Sequence, residues 1–400
     1  MSKETWLIEP RDALIVRDGR PFGNTAGTRA KSLDFPFPST TTGGARTRAG
    51  LGKLNGDLSK FDKSLGDEVL HIEVSGALLA EVDSHNVNLL VHAPADCLIV
   101  KPENEGETNR FPLVPLEKDA ASCSNLDDDL HLLGTTEKVK GKPQSEPRFW
   151  YWAEFEKWLL TADKADPIDV KELGHNGLTK EQRTHVRILD ETNGYKNKAN
   201  SDGGLFQTRG LEFTATNEKK QLSSAKKLAL VIEVERQNFE GEINDGIAPL
   251  GGERRIVAWR KSETKLFPDC PPKVREEILR TKACRLILLT PAIFENGFKP
   301  TWLETAQGIN VKVEAIAVNR AQVISGWGFV KQKPKPTRRM CPAGTVLFLK
   351  LSEGDIGKWI DNTWFHCVSD ELQDRKDGFG LAALGTWSGE FLKIEEALKQ

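Results

Sequence analysis

The sequence predicts a duplicated α+β fold on three observations. The chain has 400 residues, too many for one ordinary core, and a prior of roughly 150 residues per domain points to two large domains. The first half reads as strand, helix, strand, strand. The second half is again rich in strands, with one helix near its start. Hydrophobic residues make up 38% and charged residues 28% of the chain, a globular balance that excludes a mainly disordered protein.

Taken in order, Thr5–Val16 reads as a strand followed by a loop rich in glycine and proline. Ser39–Thr42 supplies N-caps for a helix to about Leu54, which Gly43 and Gly44 weaken. Glu68–Glu81 alternates as a strand does, and Val87–Val91 and Ala95–Val100 follow at hairpin spacing. That order opens a βαββαβ, ferredoxin-like unit. Residues 101–148 are polar and acidic and read as an insertion. In FWYWAEFEKWLL, residues 149–160, Trp152, Phe155 and Leu159 fall at helical spacing with Phe149 and Trp158 beside them. Aromatics at this density usually pack a core; a partner-docking helix is the other reading. His185–Leu189 and Leu205–Phe213 read as hairpin arms around a polar, projecting tip. After a polar link over residues 217–227, strands are expected at Lys227–Glu235, Arg254–Trp259, Arg285–Thr290, Val311–Asn319 and Thr345–Leu351, with a helix at Pro272–Thr281. The expected division is 1–220, carrying an insertion over about 101–210, and 221–400.

Charge narrows the function. The formal net charge is −2, so a nucleic-acid surface must come from local segregation. Arg17 to Arg48 holds six basic residues against Asp18 and Asp34, and Lys331 to Arg339 holds five with no acid. Between them, Glu103 to Asp129 holds eight acids against Arg110 and Lys118. The longest apolar runs, Leu228–Val234 and Leu286–Leu289, are too short to span a membrane. With no apolar leader at the N-terminus, a cytoplasmic protein is expected. Six scattered cysteines without a CxxC give no disulfide or zinc framework, so no metal or cofactor is expected.

Six motifs carry the chemistry. In RDGRPFGNTAGTRAKSLDFPFPST, residues 17–40, Gly19, Gly23 and Gly27 recur every four residues among Arg17, Arg20, Arg29 and Lys31. Glycines free N–H groups to face an anion, and guanidinium forks match phosphate. Phe22, Phe35 and Phe37 are available to stack bases or to pack beneath. The motif is neither a Walker loop nor a dinucleotide fingerprint. GGARTRAG places Arg46 and Arg48 near a helix start, where phosphate is favoured. THVRILDETNGYKNKANSDGGLFQTRG sets His185 and Arg187 on one strand face, with Arg209 on the return arm. GGERR delivers Arg254 and Arg255 from a tight turn into a strand. In KQKPKPTRRM, Lys333 and Lys335 alternate between prolines ahead of Arg338 and Arg339, an extended strip beside Trp327 and Phe329 suited to single-stranded RNA. Gly378, Phe379 and Gly380 form a turn ahead of an apolar strand. The plain alternatives are an ordered loop, solvated surface arginines, a surface hairpin and a solvated linker.

Enzyme signatures are absent: no HExxH, GxSxG or carboxylate pair stands near a histidine. Asp127–Asp129 is a metal candidate without partners. His175 or His185 could serve as the base in metal-independent RNA cleavage, with Tyr195 or a lysine as proton donor.

The ordered set RDGRPFG, GGERR, SGW with KPKPTRRMCPAGTVLF, and GFGLAALGTW resembles the third-subunit family of Cmr (type III-B) CRISPR effector complexes, RAMP-superfamily proteins of the Cas-five-like group. The resemblance implies two facing ferredoxin-like (RRM-like) domains of the RAMP type, with a C-terminal Gly-rich loop. It implies a non-catalytic subunit that grips the 5′ tag of the CRISPR RNA, caps the backbone RAMP filament and docks the large palm-domain subunit, meeting target RNA only indirectly. Carried over by motif, the RNA contacts are Arg17, Arg20, Arg29, Lys31, Arg46, Arg48, His185, Arg187, Arg209, Arg254, Arg255, Lys333, Lys335, Arg338, Arg339, Gly378, Phe379 and Gly380. The alternatives are a RAMP endoribonuclease that processes precursor CRISPR RNA, and a purely protein-binding scaffold. The acidic, polar stretch over 101–148 matches no motif of the family, and the role of its acids over 103–129 is left open.

Overall fold

The structure, a computed structural model, describes residues 3–17, 32–83, 86–101, 107–118, 129–160, 164–186, 205–215, 225–302, 308–328 and 333–393. Alternation builds the first sheet. In β1 (Glu4–Pro10), Leu7 faces one core while Trp6 and Ile8 face another. α1 (Pro38–Lys53) covers the Trp6 side. It starts at a proline that the first helical position tolerates. Gly44, which weakens the helix in isolation, is required in place: a Cβ there would lie 2.8 Å from Leu250 Cδ1 and 3.1 Å from Trp259 Cζ2. β2 (Glu73–Val82), β3 (Lys226–Glu235) and β4 (Arg255–Lys261) complete an antiparallel order β4-β1-β3-β2, with Leu7 opposite both Val231 and Arg260. Val87–His92, Phe149–Tyr151 and Gly174–His175 extend this sheet beyond β2, and Gly246–Leu250 extends it beyond β4.

The second sheet follows α2 (Pro272–Thr281). β5 (Ala283–Leu288), β6 (Asn310–Ala317), β7 (Val346–Ser352) and β8 (Ala382–Thr386) pair antiparallel in the order β6-β7-β5-β8, with α3 (Ile356–Thr363) between β7 and β8 in sequence. Numbered by sequence within each sheet, both four-strand cores read 4-1-3-2. Central β5 is buried along its whole length. One apolar core joins the sheets, with Leu7, Leu78 and Val231 of the first packed in the same cluster as Leu286, Leu288 and Leu349 of the second.

Three expectations are corrected. Lys227–Glu235 and Arg254–Trp259, expected after a boundary at 220, fall in β3 and β4, which pair in one sheet with β1 and β2. Cys97–Lys101, expected to continue the first hairpin, instead pairs with Asn109–Pro115 and Lys142–Gln144 in a separate small sheet, so the polar insertion has strands of its own. The aromatic segment divides into the strand Phe149–Tyr151 and a helix, Trp152–Leu160, whose Phe155, Trp158 and Leu159 are fully buried.

A buried cation holds these parts together. Arg285 of β5 is 0% exposed and Asp96 is 1% exposed. Arg285 donates to Asp96 Oδ2 at 2.6 Å, to Trp158 O at 2.7 Å and to Thr386 O at 2.9 Å. Trp158 Nε1 donates to the other Asp96 oxygen at 3.1 Å. The guanidinium therefore caps the last turn of the aromatic helix, where a positive charge is favoured. Removing one member of a buried pair leaves the other uncompensated, at a cost of about 3–5 kcal/mol. Asp96→Ala and Arg285→Met are each expected to lose stability on that scale in urea unfolding, with Asp96→Leu/Arg285→Met closer to wild type. Additive losses in the double variant would dismiss the pair as a coupled unit.

Candidate nucleic-acid interface

After β1 the chain runs between two hairpins. Leu14 exchanges backbone hydrogen bonds with Leu211, at 2.9 and 2.8 Å, and Gly252 N–H donates to Ile15 O at 2.7 Å. Arg17 then bridges to Ser32 across the first motif. Leu211 belongs to the hairpin of Thr179–Val186 and Leu205–Glu212, and Gly252 to the turn before β4. Glycine permits both approaches. A Cβ at Gly210 would lie 2.6 Å from Ala13 Cβ, and one at Gly251, where φ is +70°, would lie 2.5 Å from Ile15 O. Three motifs distant in sequence thus meet at residues 13–17.

The charges there divide in two. Arg255 donates to Asp12, which Arg183 also reaches at 3.1 Å. Burial works to raise the Asp12 carboxyl, but the Ala13 N–H and Arg255 outweigh it and hold it below the ordinary value. Arg17 pairs with Glu253 at 2.6 Å, His185 Nε2 meets Thr208 Oγ1 at 2.9 Å and Arg209 Nε donates to Gln182 at 3.3 Å. Arg254, in a left-handed turn conformation with φ of +51°, is exposed and makes no side-chain hydrogen bond or ion pair among the described residues. Arg11, which the motifs did not single out, is exposed and unpaired in the same way and lies beside β4 through its N–H to Ile256 O at 2.9 Å. Its only sequence signal is a basic residue at the end of an apolar strand. Arg48 lies on the other face of the sheet, donating to Asn244 O and stacked 5.4 Å from the Trp259 ring centroid. Burial lowers its pKa, against the opposing pull of Asp245.

A second hairpin carries the basic strip. Gln322–Ile324 pairs with Arg338–Met340, and Trp327–Gly328 with Lys333–Pro334, so the strip expected to be an isolated extended segment is the return arm of a β-hairpin. Lys333, Lys335 and Arg339 are exposed. Arg338 is committed to Asp374, donating to its two oxygens at 2.7 and 2.8 Å.

Arg46 and the Gly-rich turn have structural duties. Arg46 is 6% exposed; it donates to Asp377 Oδ1 at 2.5 Å and to Ile72 O at 2.8 Å. The N–H groups of Gly378, Phe379 and Gly380 go to the carbonyls of Arg375, Asp374 and Pro291, and all three residues are buried. A Cβ at Gly378, where φ is +89°, would lie 2.6 Å from Gly76 O. Phe379 packs with Phe37, Ile293, Ile324 and Met340. At Arg46, Arg338, Gly378, Phe379 and Gly380, all expected as RNA contacts, internal partners occupy the polar groups, and all but half-exposed Arg338 are buried. Arg255, half-buried on Asp12, joins them as an anchor. Arg20, Arg29, Lys31 and Arg187 lie outside the described residues, as do Phe22 and the hairpin tip with Tyr195. Asp129 pairs with Lys299 at 2.9 Å, while Asp127 and Asp128 lie outside the described residues. Among the described residues no helix is long and apolar enough to cross a membrane, and no three histidine, cysteine or acidic groups assemble as a metal site.

Residues 6–387, nearly the whole chain, match a family model of CRISPR-associated proteins. The chain belongs to that family, Cas_Cmr3, which bears out the resemblance to subunits of type III-B Cmr effector complexes. No curated protein matches. Among solved structures, the chain is similar to one in the Type III-B Cmr-beta complex bound to cognate target RNA, at 16% identity and a TM-score of 0.43 over 86% of each chain. A structure of the same complex with target RNA and AMPPnP gives 17% and 0.41 over 86% of each chain. A chain of the Csm3–Csm4 subcomplex of a type III-A interference complex gives 12% and 0.33, over 96% of this chain and 99% of that one.

Two outcomes are expected. Arg255→Ala, which strands Asp12 with Arg183 alone, lowers the melting temperature, whereas Arg254→Ala leaves it unchanged; equal melting curves would remove the distinction between anchor and free charge. His92 packs against Phe149 at 4.4 Å and Phe35 at 5.4 Å, where the first motif returns to the fold. Burial, with Arg148 nearby, depresses its pKa from 6.5 to about 4. The unfolded chain binds this proton more readily, so His92 contributes full stability above pH 6.5 and loses it as pH falls towards 4, on the order of 3 kcal/mol. Denaturant unfolding over pH 7 to 4 is expected to show a shallower acid loss in His92→Phe, and an unchanged pH profile would rule His92 out.

Proposed function

We propose that this chain is a non-catalytic subunit that grips the 5′ tag of the guide RNA and docks the large palm-domain subunit onto the backbone RAMP filament, meeting target RNA only through the assembled complex. The observation that carries this reading is the convergence of the first motif, the basic hairpin and the GGERR turn on residues 13–17, where exposed Arg11 and Arg254 have no neutralising partner among the described residues. Exposed Lys333, Lys335 and Arg339 on the second hairpin add a basic arm. Phosphate contacts from such groups set orientation, and loop groups read the tag bases. No exposed aromatic pair marks the described sheet faces, so base stacking on a sheet is not invoked. The shared strand order 4-1-3-2 supports the reading of two ferredoxin-like units.

The endoribonuclease alternative needs an accessible histidine. His175 accepts the Gly177 N–H on Nδ1 at 2.9 Å, and its Nε2 is buried. Burial lowers its pKa, partly countered by Glu81. A nitrogen closed from solvent does not reach a ribose hydroxyl, which leaves half-buried His185 as the histidine the nuclease alternative requires.

Fluorescence anisotropy with 5′-tag RNA and a scrambled RNA of equal length, with and without the large subunit and across a salt series, tests the reading. Expected are preference for the tag at physiological salt, roughly a tenfold loss of affinity in Arg254→Glu with normal melting, and no cleavage in EDTA. Equal, salt-labile binding of both RNAs in the presence of the large subunit would overturn tag reading. Metal-independent cutting abolished by His185→Ala would favour the nuclease.

A further inference from the structure

The insertion carries a charge pattern that the tag site leaves unused. Its small sheet has Lys142–Gln144 at one edge, paired with Cys97–Lys101 so that Lys142 lies directly opposite Lys101. Like charges in that position, with Cβ atoms roughly 5 Å apart, oppose sheet formation. The backbone is nevertheless shaped to hold them together. Gly141 has φ of +126°, and a Cβ there would lie 2.5 Å from Lys101 O and 2.9 Å from Val100 Cγ1. Lys138 and Lys140 precede this turn, both exposed, with half-buried Val139 between them. None of the four lysines makes a side-chain hydrogen bond or ion pair among the described residues. Among the described residues, the neighbouring acids do not close the patch. Glu137 accepts the Ala165 N–H at 3.4 Å, and Glu146 lies beyond Gln144.

Lysines on an edge strand also discourage aggregation, but Pro143 already removes a donor from this edge, and one lysine would serve. Four ammonium groups without a partner among the described residues, around a glycine-closed turn, exceed that need. We propose that Lys101, Lys138, Lys140 and Lys142 form a second, sequence-independent contact for the phosphodiester backbone of a single-stranded nucleic acid. Of the described residues around the turn none is an exposed aromatic, so the surface meets phosphates rather than bases. The proposal does not depend on tag recognition, because its ligand needs no tag.

The test uses the full chain with all four lysines changed to glutamine, and 20-nucleotide RNA and DNA strands that lack the tag. Each phosphate contact on a single strand contributes about 0.7 to the slope of log affinity against log salt. The variant is expected to show a slope shallower by about 3 and at least tenfold weaker binding at low salt, while its melting temperature holds or rises as the Lys101–Lys142 repulsion is relieved. Equal losses for RNA and DNA support a pure backbone contact. A loss with RNA alone also supports the proposal and adds the ribose hydroxyl to the contact. Unchanged slopes for both strands overturn it and leave the patch to an acidic protein partner. Should the variant fold poorly, lysine acetylation of the wild-type chain gives an independent answer. Protection of the four amines by the oligonucleotides is expected, and unprotected amines would overturn the proposal.

Discussion

One guanidinium sets the arrangement of the molecule. Arg285 rises from the central strand of the second sheet, fully buried, and its donors reach Asp96 near the start of the insertion, the last turn of the aromatic helix and the neighbouring strand β8. A charge in that position is tolerable only if each partner stays in place. The helix must keep its Trp158 and Leu159 carbonyls in place, Asp96 must keep its rotamer, and β8 must stay paired. Trp158 is stacked between Arg285 at 5.6 Å and Arg110 at 5.3 Å, which extends the constraint to Asp166 through the Arg110 pair. The polar insertion is thereby anchored on the core rather than appended to it.

Arg46 and Asp377 form a second clamp of the same kind, joining the first helix to the turn before β8. The packing of Phe379 and the left-handed Gly378 against the backbone of β2 depends on that turn staying closed. The chain therefore spends its arginines in two ways. Some are sealed inside as ties between distant segments, and others, such as Arg254, are held outward by a strained turn with no partner among the described residues.

Local chemistry was legible in the sequence, and pairing was not. Alternation located β2, β3 and β5 were legible as strands around the longest apolar runs, and the aromatic spacing placed Phe155 and Leu159 in the core. The 184–210 hairpin was visible from its arms and polar tip. What alternation cannot reveal is which strands become neighbours: Lys226–Glu235 reads the same whichever sheet receives it, and only its register with Leu79 and Leu7 decides. The same limit applies to the arginines. Arg46 and Arg254 both follow a pair of glycines closely, yet one is buried and the other exposed, because the acid that captures Arg46 lies 331 residues away. Arg285, the most consequential of all, looked like one more residue in an apolar strand.

The placement of β3 has a consequence for how the protein is made. It is the strand between β1 and β2, yet residues 83–225 must leave the ribosome before it does. At about 5–20 residues per second, the nascent chain spends on the order of ten seconds with β2 lacking its partner along one side and β1 along both. The aromatic helix emerges within that interval, without the guanidinium that later caps it. Unpaired strand edges and exposed tryptophans in a growing chain are the features that recruit holdase chaperones and that make truncated translation products aggregate. The interleaved topology therefore places the hazard in biogenesis rather than in the finished molecule, and makes completion of the first sheet a late translational event.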